Sequence, residues 1–448
     1  MRLSTDRLGR AALVVLLVGL ALHNAVMAQL WELRIRGTTL DVVAAWKEGL
    51  LLVTLVVLGW AARKRLSLTT VDLLAIAYTL AVVAYALIPQ DVLGGEATTR
   101  GELLALRHHL LPVGAYALGR LLSAWWEDRA WLGGAIVLAA AGVAVIGLFD
   151  LGVIGLQAWR DSGVPGWYRE QLGLDYEGLS GLPENWVYNT GDEESPMRRL
   201  VSSFLSPLAS AYALVVALIF MVSRPLRWWW ALVAAFLSVA LLYTHTRAAF
   251  VALAVGLVVL GVAQRRMTPF VLGVASVVVA AGFLFAYPTI GPETSYTDEE
   301  LEFLRENAER EGDEDADPFS PGESSTASHL RNLRDGLRKV AEHPQGHGLG
   351  NAGVVAKRTG VDIKAGESTY TELGVDVGVV GLAAFLLWNL ALLRVTWRRE
   401  AWIAAALVTV LLLGLQTDVI GVHWLAVAVW AAAGMTVARP PPEARVPE

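Results

Sequence analysis

Arginines recur where apolar sequence gives way to polar sequence. Arg198 and Arg199 precede the run FLSPLASAY, and Arg247 sits between two apolar stretches in LLYTHTRAAFVALAVG. His329, Arg331, Arg334, Arg338 and Lys339 crowd the segment SHLRNLRDGLRKVAEHPQGHGLG. A guanidinium presents a planar fork that takes two phosphate oxygens at once. Several at a partly dry boundary could stabilise an anionic leaving group, one well-placed donor contributing about 10²–10³ in rate. Downstream, Glu367 and Ser368 open the stretch GESTYTELG, with Tyr370 and Glu372 one turn on. Ser368 reads as a helix N-cap, and carboxylates are favoured beside the positive end of a helix. A carboxylate fixed in that way also suits a general base, a role that typically contributes about 10²–10⁴.

Between these groups lies EHPQGHGLGNAG, irregular and rich in glycine. Glycines 346, 348, 350 and 353 permit sharp turns and close approach to a ligand. Their spacing is not a nucleotide fingerprint, and no strand precedes them. His343 and His347 are four apart, but the intervening proline and glycine argue against a helical metal pair. Leu330, Leu333, Leu337 and Val340 recur at three and four residues, which predicts an amphipathic helix ending near Glu342, before Pro344. Its basic face would lie over a membrane surface.

The elements that position these residues are membrane helices. The chain has 448 residues, 55% of them apolar, with a mean hydropathy of +0.49. A helix needs about 20 apolar residues to cross the bilayer core. Twelve runs qualify as candidates, near 11–29, 45–62, 70–89, 103–124, 131–156, 203–222, 227–245, 248–264, 269–287, 371–393, 401–416 and 419–437. Lys47 and Glu48 interrupt the second, and Arg107, His108 and His109 the fourth. The first could instead be a cleaved signal, since AVMAQ follows an apolar core. Cysteine is absent, which excludes disulfides and thiolate chemistry. The net charge of −6 says little, because the two signs are segregated along the chain.

Basic clusters such as RKR (63–65), SRPLR (223–227), QRR (264–266) and RVTWRR (394–399) fall in alternate short loops. By the positive-inside rule those loops are cytoplasmic. The expected fold is therefore all-α and polytopic, with about twelve spans, both termini cytoplasmic, and two long extracytoplasmic loops at about 157–202 and 288–370. The strongly acidic stretch 298–317 reads as a solvated, partly helical segment; it lacks the ligand spacing of an EF-hand. No internal repeat is visible, which weighs against an inverted-repeat transporter.

Taken in order, the outer arginine pair before FLSPLASAY, the TR-A hairpin, HP-G-GLG--G and ES-Y-ELG---G--G--AF resemble the O-antigen ligase and polymerase superfamily. The resemblance covers roughly 195–390. It implies a C-type glycosyltransferase architecture in the bacterial inner membrane, with the site facing the exterior. It implies transfer of glycan from a polyprenyl-diphosphate-linked donor to a glycolipid or lipid-linked glycan acceptor, without a metal or other cofactor. Membrane lipids are the remaining partners, and nucleic acid is not one. By the same resemblance Arg198 or Arg199, and Arg247, correspond to the family's outer-loop arginines, with Arg331 a looser counterpart. Ligases commonly carry a histidine where this chain has Glu367, so the glutamate looks more like the polymerase side.

On this reading Glu367 and Arg247 are the catalytic candidates. Arg198, Arg199, Arg331, His343, His347, Gly348, Gly350, Ser368 and Tyr370 are the candidates for binding glycan and diphosphate, and no metal site is expected. Two rivals stand beside it. One is a transporter or flippase of lipid-linked sugars, which needs polar groups and broken helices near mid-membrane. The other is a non-catalytic assembly protein that docks through the acidic loop.

Overall fold

The computed structural model describes residues 5–125, 129–188, 196–225, 227–311 and 324–437. The second part of the acidic stretch, 312–317, and the tail from 438 onward lie outside them. Each of the twelve apolar runs is helical. In chain order these helices are α1 (Thr5–Glu32), α2 (Trp46–Ala62), α3 (Thr70–Leu87), α4 (Thr99–Leu122), α5 (Ala130–Phe149), α6 (Pro207–Ser223), α7 (Trp228–Tyr243), α8 (Arg247–Gln264) and α9 (Met267–Ile290). After α10 (Asp298–Glu311), α11 (Ser324–Glu342) and α12 (Gly353–Thr359) come the last three apolar helices, α13 (Thr369–Arg399), α14 (Ala401–Leu413) and α15 (His423–Thr436). Two residues on each side, β1 (Val187–Tyr188) and β2 (Met197–Arg198), pair antiparallel.

Among the described residues six helices are long and apolar enough to cross a membrane. A seventh forms if α2 and the short helix Thr38–Ala44, bent by 42°, count as one span. Helices α6, α7, α14 and α15 are apolar but shorter, and α4 carries charges along its first half. In hydrocarbon every backbone group must find an internal partner, so helices are the economical solution. Local sequence sets their ends. Helix α6 begins at Pro207, where a missing N–H costs nothing, and the Ser206 hydroxyl accepts from the Ala209 N–H at 3.3 Å.

The first long loop is folded rather than extended. Trp167, Tyr168, Leu179, Leu182 and Trp186 form a second apolar core against Met27, Ala28 and Trp31 of α1. Fully burying one such large side chain is worth about 1.5–3 kcal/mol. The acidic stretch departs from its solvated reading. Glu300, in the first turn of α10, is 1% exposed and receives Arg160 at 2.5 Å, the Ser180 hydroxyl at 2.5 Å and the Thr297 N–H at 2.9 Å. One residue of a charged run thus ties the second long loop to the first, and a uniform acidic run gave no sign of which.

Helix α13 is broken. Val377 and Gly378 leave helical geometry, Gly378 with φ +62°. The freed groups are taken up by the glycine-rich stretch. The His347 N–H donates to Val375 O at 2.6 Å, and the Val379 N–H donates to Pro344 O at 2.9 Å. Tyr85 of α3 donates its hydroxyl to Gln345 O. Gly346, at φ +75°, lies so close that a Cβ there would stand 2.6 Å from the Gly378 nitrogen. The irregular segment is therefore the partner of an interrupted helix.

Removing one member of a buried ion pair typically costs 3–5 kcal/mol. Glu300→Ala is expected to destabilise the loop pair by about 3 kcal/mol, seen as faster amide exchange over 157–186. Exchange unchanged from wild type would return the acidic stretch to its solvated reading.

Candidate active site

A cavity of about 1320 Å³ lies at one end of the bundle. The C-terminal half of α1 and the N-terminal parts of α2, α4, α13 and α15 form it, roofed by 167–176, α11 and 352–367. These helix ends are the ones the basic-loop pattern assigns to the exterior.

One wall is basic. Arg100 and Arg107 of α4, Lys47 of α2 and Arg358 of α12 all line it. Arg107 approaches Glu48 at 3.3 Å and Arg100 approaches Asp41 at 3.9 Å, while Arg358 donates to Leu172 O and forms no ion pair among the described residues. Burial, then the nearby charges of Arg107 and Arg100, push the Arg358 guanidinium down to about 10. It stays charged at neutral pH. Like charges gathered this closely favour an anion between them.

The floor is acidic. Asp376 accepts from His109 Nε2 at 2.9 Å and from the Asn351 N–H at 3.1 Å. Asp418, in the loop before α15, lies 3.1 Å from His108 Nε2 and accepts from the Gly421 N–H. Burial would raise the Asp418 carboxyl, but His108 and that N–H hold it below the usual carboxylate range. Glu372 stands among these acids, 7% exposed. Ligand atoms of His108, Glu372 and Asp418 lie within 4.8 Å of one another, close enough to share a cation. Gly353 passes directly over Glu372: at φ +56°, a Cβ there would collide with the carboxylate.

At the rim, Glu367 lines the cavity with its carboxylate 2.6 Å from His329 Nδ1 on α11. That hydrogen bond, opposed by burial and helped by Asn332, holds the glutamate below its ordinary range. Glu367 adopts φ +65°. Asn332, Asp335, Gly336 and Lys339 turn the cavity-facing side of α11 inward. Arg331, Arg334 and Arg338 are exposed.

The expected site residues divide into groups. Of the eleven, Glu367 alone lines the cavity. Arg198 is 3% exposed and committed to Asp150, 3.2 Å away. Arg199 donates to Thr244 O at 2.9 Å and to the Thr246 hydroxyl at 3.1 Å, and feels the charge of Arg247. These two arginines flank His245, whose ring lies between Tyr188 at 4.1 Å and Tyr287 at 4.4 Å. Burial, then Arg199 and Arg247, hold that histidine neutral, pushed down to about 2. This second cationic cluster lies at the same end of the bundle, near the start of α8. Tyr212 of α6 stands between Arg199 and Thr417, a cavity residue.

Ser368 caps α13 and donates to Gly414 O, and Tyr370 donates to Leu411 O, so both fasten α13 to α14. His347 and Gly348 face Gly94 and Gln90 between α3 and α4, and Gly350 faces Gly101 in the first turn of α4. The exposed His343 ring lies 4.6 Å from that of His347. Sequence reasoning passed over Arg107, His108 and His109 as a blemish in the fourth run. Ionisable residues inside a membrane helix are costly and by default functional, and that signal was present. Asp376 and Asp418 gave less warning, being single acids near helix ends.

Gly353→Val is expected to displace Glu372 and lower both the melting temperature and any activity, whereas Gly366→Ala, with its nearest contact at 3.8 Å, is expected to be silent. Equal behaviour of the two variants would separate Glu372 from the site.

No curated protein matches the chain. Residues 232–386, from within α7 to the middle of α13, match the family model described as O-antigen ligase. That stretch holds Arg247, the glycine-rich plug, Glu367 and the acids of α13. Over that stretch, about a third of its length, the chain carries an O-antigen ligase domain, set in a bundle of apolar helices around a polar cavity, and this supports the O-antigen ligase and polymerase superfamily.

Proposed function

We propose that the chain transfers glycan from a polyprenyl-diphosphate-linked donor to a hydroxyl acceptor, within the cavity, at the outer face of the bacterial inner membrane. The observation that carries this reading is one cavity lined by the guanidinium groups of Arg100, Arg107 and Arg358 and by the carboxylates of Glu372, Asp376 and Asp418. Breaking the bond between the anomeric carbon and the diphosphate oxygen develops positive charge on carbon and negative charge on oxygen. Carboxylates and guanidinium groups lining one cavity can serve that polarity, and preorganised charge in a dry site stabilises the transition state more than the substrate.

The acceptor oxygen attacks the anomeric carbon as the diphosphate leaves with the bonding pair. Arg107 and Arg358 hold the leaving oxygens. The acceptor proton passes to Glu367, which His329 keeps ionised by donating Nδ1–H, and the half-exposed carboxyl then releases it to solvent at the rim. Asp376, Asp418 and Glu372 face the sugar as it becomes cationic. We take a carrier-linked repeat unit as the acceptor, which makes the enzyme a polymerase. Arg199 and Arg247 then offer a second place for a diphosphate.

The break in α13 is the one feature that favours a transporter. It falls eight residues from the start of a helix of 31, about 12 Å along it at 1.5 Å per residue. The cavity is lined from one end of the bundle, whereas transport needs access from both.

Purified protein given polyprenyl-diphosphate repeat units alone should produce a ladder of longer carrier-linked products. Reaction only after lipid A-core is added would make it a ligase, and transbilayer movement without a new glycosidic bond would make it a transporter. Arg107→Ala and Arg358→Ala should each lower turnover by about 10²–10³, and Glu367→Gln by about 10²–10⁴. Full activity in the arginine variants would move the diphosphate elsewhere. The acid limb of kcat/KM should lie below the usual glutamate range, because the folded enzyme holds Glu367 low. His329→Ala releases that hold, so the limb should move to higher pH; an unmoved limb would remove Glu367 as the base. Turnover should survive EDTA, and a loss reversed by magnesium would instead seat a cation on His108, Glu372 and Asp418.

A further inference from the structure

A second cavity, of about 380 Å³, lies away from the first, among α6, α7, α8 and α9. Its walls are Ala231, Ala234, Leu241, Leu253, Leu272, Ala280 and similar apolar side chains, with no carboxylate among them. The hydroxyl of Ser276 is spent on Gly273 O within its own helix. Helix α7 follows the slot from Trp230 to Leu242 and α9 follows it from Thr268 to Ala280. Each is about 18 Å of helix at 1.5 Å per residue, close to the depth of one leaflet of a hydrocarbon core about 30 Å thick.

The slot has a closed end and a charged end. Beyond Leu242 and Ala280, the Tyr243 and Phe283 rings meet edge to face at 5.3 Å and bridge α7 to α9. At the other end stand Arg224 and Arg266, each just outside a helix, both lining the cavity. Gln264 donates to Ser223 O at 3.0 Å and thereby joins the two loops that carry them. Arg224 lies over the Phe220 ring, 5.1 Å from its centre. Leu272 and Val279 of the wall are 39% and 56% exposed on the outside of the bundle, so the slot borders the bilayer.

We propose that this slot binds one anionic diacyl phospholipid, an acyl chain lying between α7 and α9 and the headgroup phosphate resting on Arg224 and Arg266. The closed end decides against the polyprenyl carrier. A carrier that reacts in the first cavity has its diphosphate at the opposite end of the bundle, where this slot is shut. The lipid belongs to the leaflet beside the basic loops, and it fills the gap between helices that form part of the O-antigen ligase domain.

The test is native mass spectrometry of delipidated full-length protein, re-exposed to phosphatidylglycerol, phosphatidylcholine or undecaprenyl phosphate in turn. Phosphatidylglycerol should be retained at one molecule per chain and phosphatidylcholine should not. The double variant R224Q/R266Q should lose at least ten-fold in retention. Ala234→Phe, which fills the slot and leaves both arginines in place, should lose it as well. Equal retention of the two phospholipids, or retention unchanged in both variants, would overturn the proposal. So would displacement of phosphatidylglycerol by undecaprenyl phosphate from wild type but not from Ala234→Phe, since the slot would then belong to the carrier.

Discussion

A helix that breaks inside a membrane leaves backbone groups that lipid cannot satisfy, and this chain meets that constraint at Val377–Gly378. The partner is the stretch from Pro344 to His347, hydrogen-bonded to Val375 and Val379. Much of the first cavity follows from that pairing. The break leaves Asp376 between His109 of α4 and the Asn351 N–H of the plug. Asn351 in turn ties the plug to Gln90 and to the Glu96 N–H, and Gly353 runs over Glu372. The same glycine-rich segment thus closes the helix ladder and positions the carboxylates of the floor.

Most charges of the cavity meet a partner of opposite sign, Arg107 with Glu48 and Arg100 with Asp41 among them. His108 and His109, adjacent in sequence, each meet a different acid, Asp418 and Asp376. Arg358 lies close enough to Arg107 to feel its charge. An isolated charge in an apolar bundle would be expensive, so ionisable groups within it are paired or carry a task. The Arg198–Asp150 pair shows the alternative outcome. There both members are buried and committed to one another, with the Trp159 indole also donating to Asp150, and the pair fastens the first loop to α5.

Much of this organisation was legible in the chain. Long apolar runs predict helices because hydrocarbon permits little else, and the leucine spacing before His343 marks an amphipathic helix that does end at Glu342. Glu367 could be singled out by its fixed place beside a helix start, although the helix dipole alone accounts for a carboxylate there. Partnership across distance was not legible. Nothing local says that Arg198 pairs with Asp150, that Glu300 is buried on Arg160, or that Asp376 meets His109 across 267 positions. The arginines judged by their place at helix boundaries turned out to be spread over an ion pair, a hairpin cluster and an exposed helix face. Of the arginines lining the cavity, Arg107 came from a run that looked merely impure, while Arg100 and Arg358 lie outside the apolar runs.

The central claim is that the diphosphate rests on the basic wall of the first cavity. Cryo-electron microscopy of the protein with bound undecaprenyl diphosphate locates the two phosphorus atoms directly. Density between Arg107 and Arg358, with the chain leaving toward the bilayer, is the predicted result. Diphosphate density beside Arg199 and Arg247 over an empty first cavity would contradict the account.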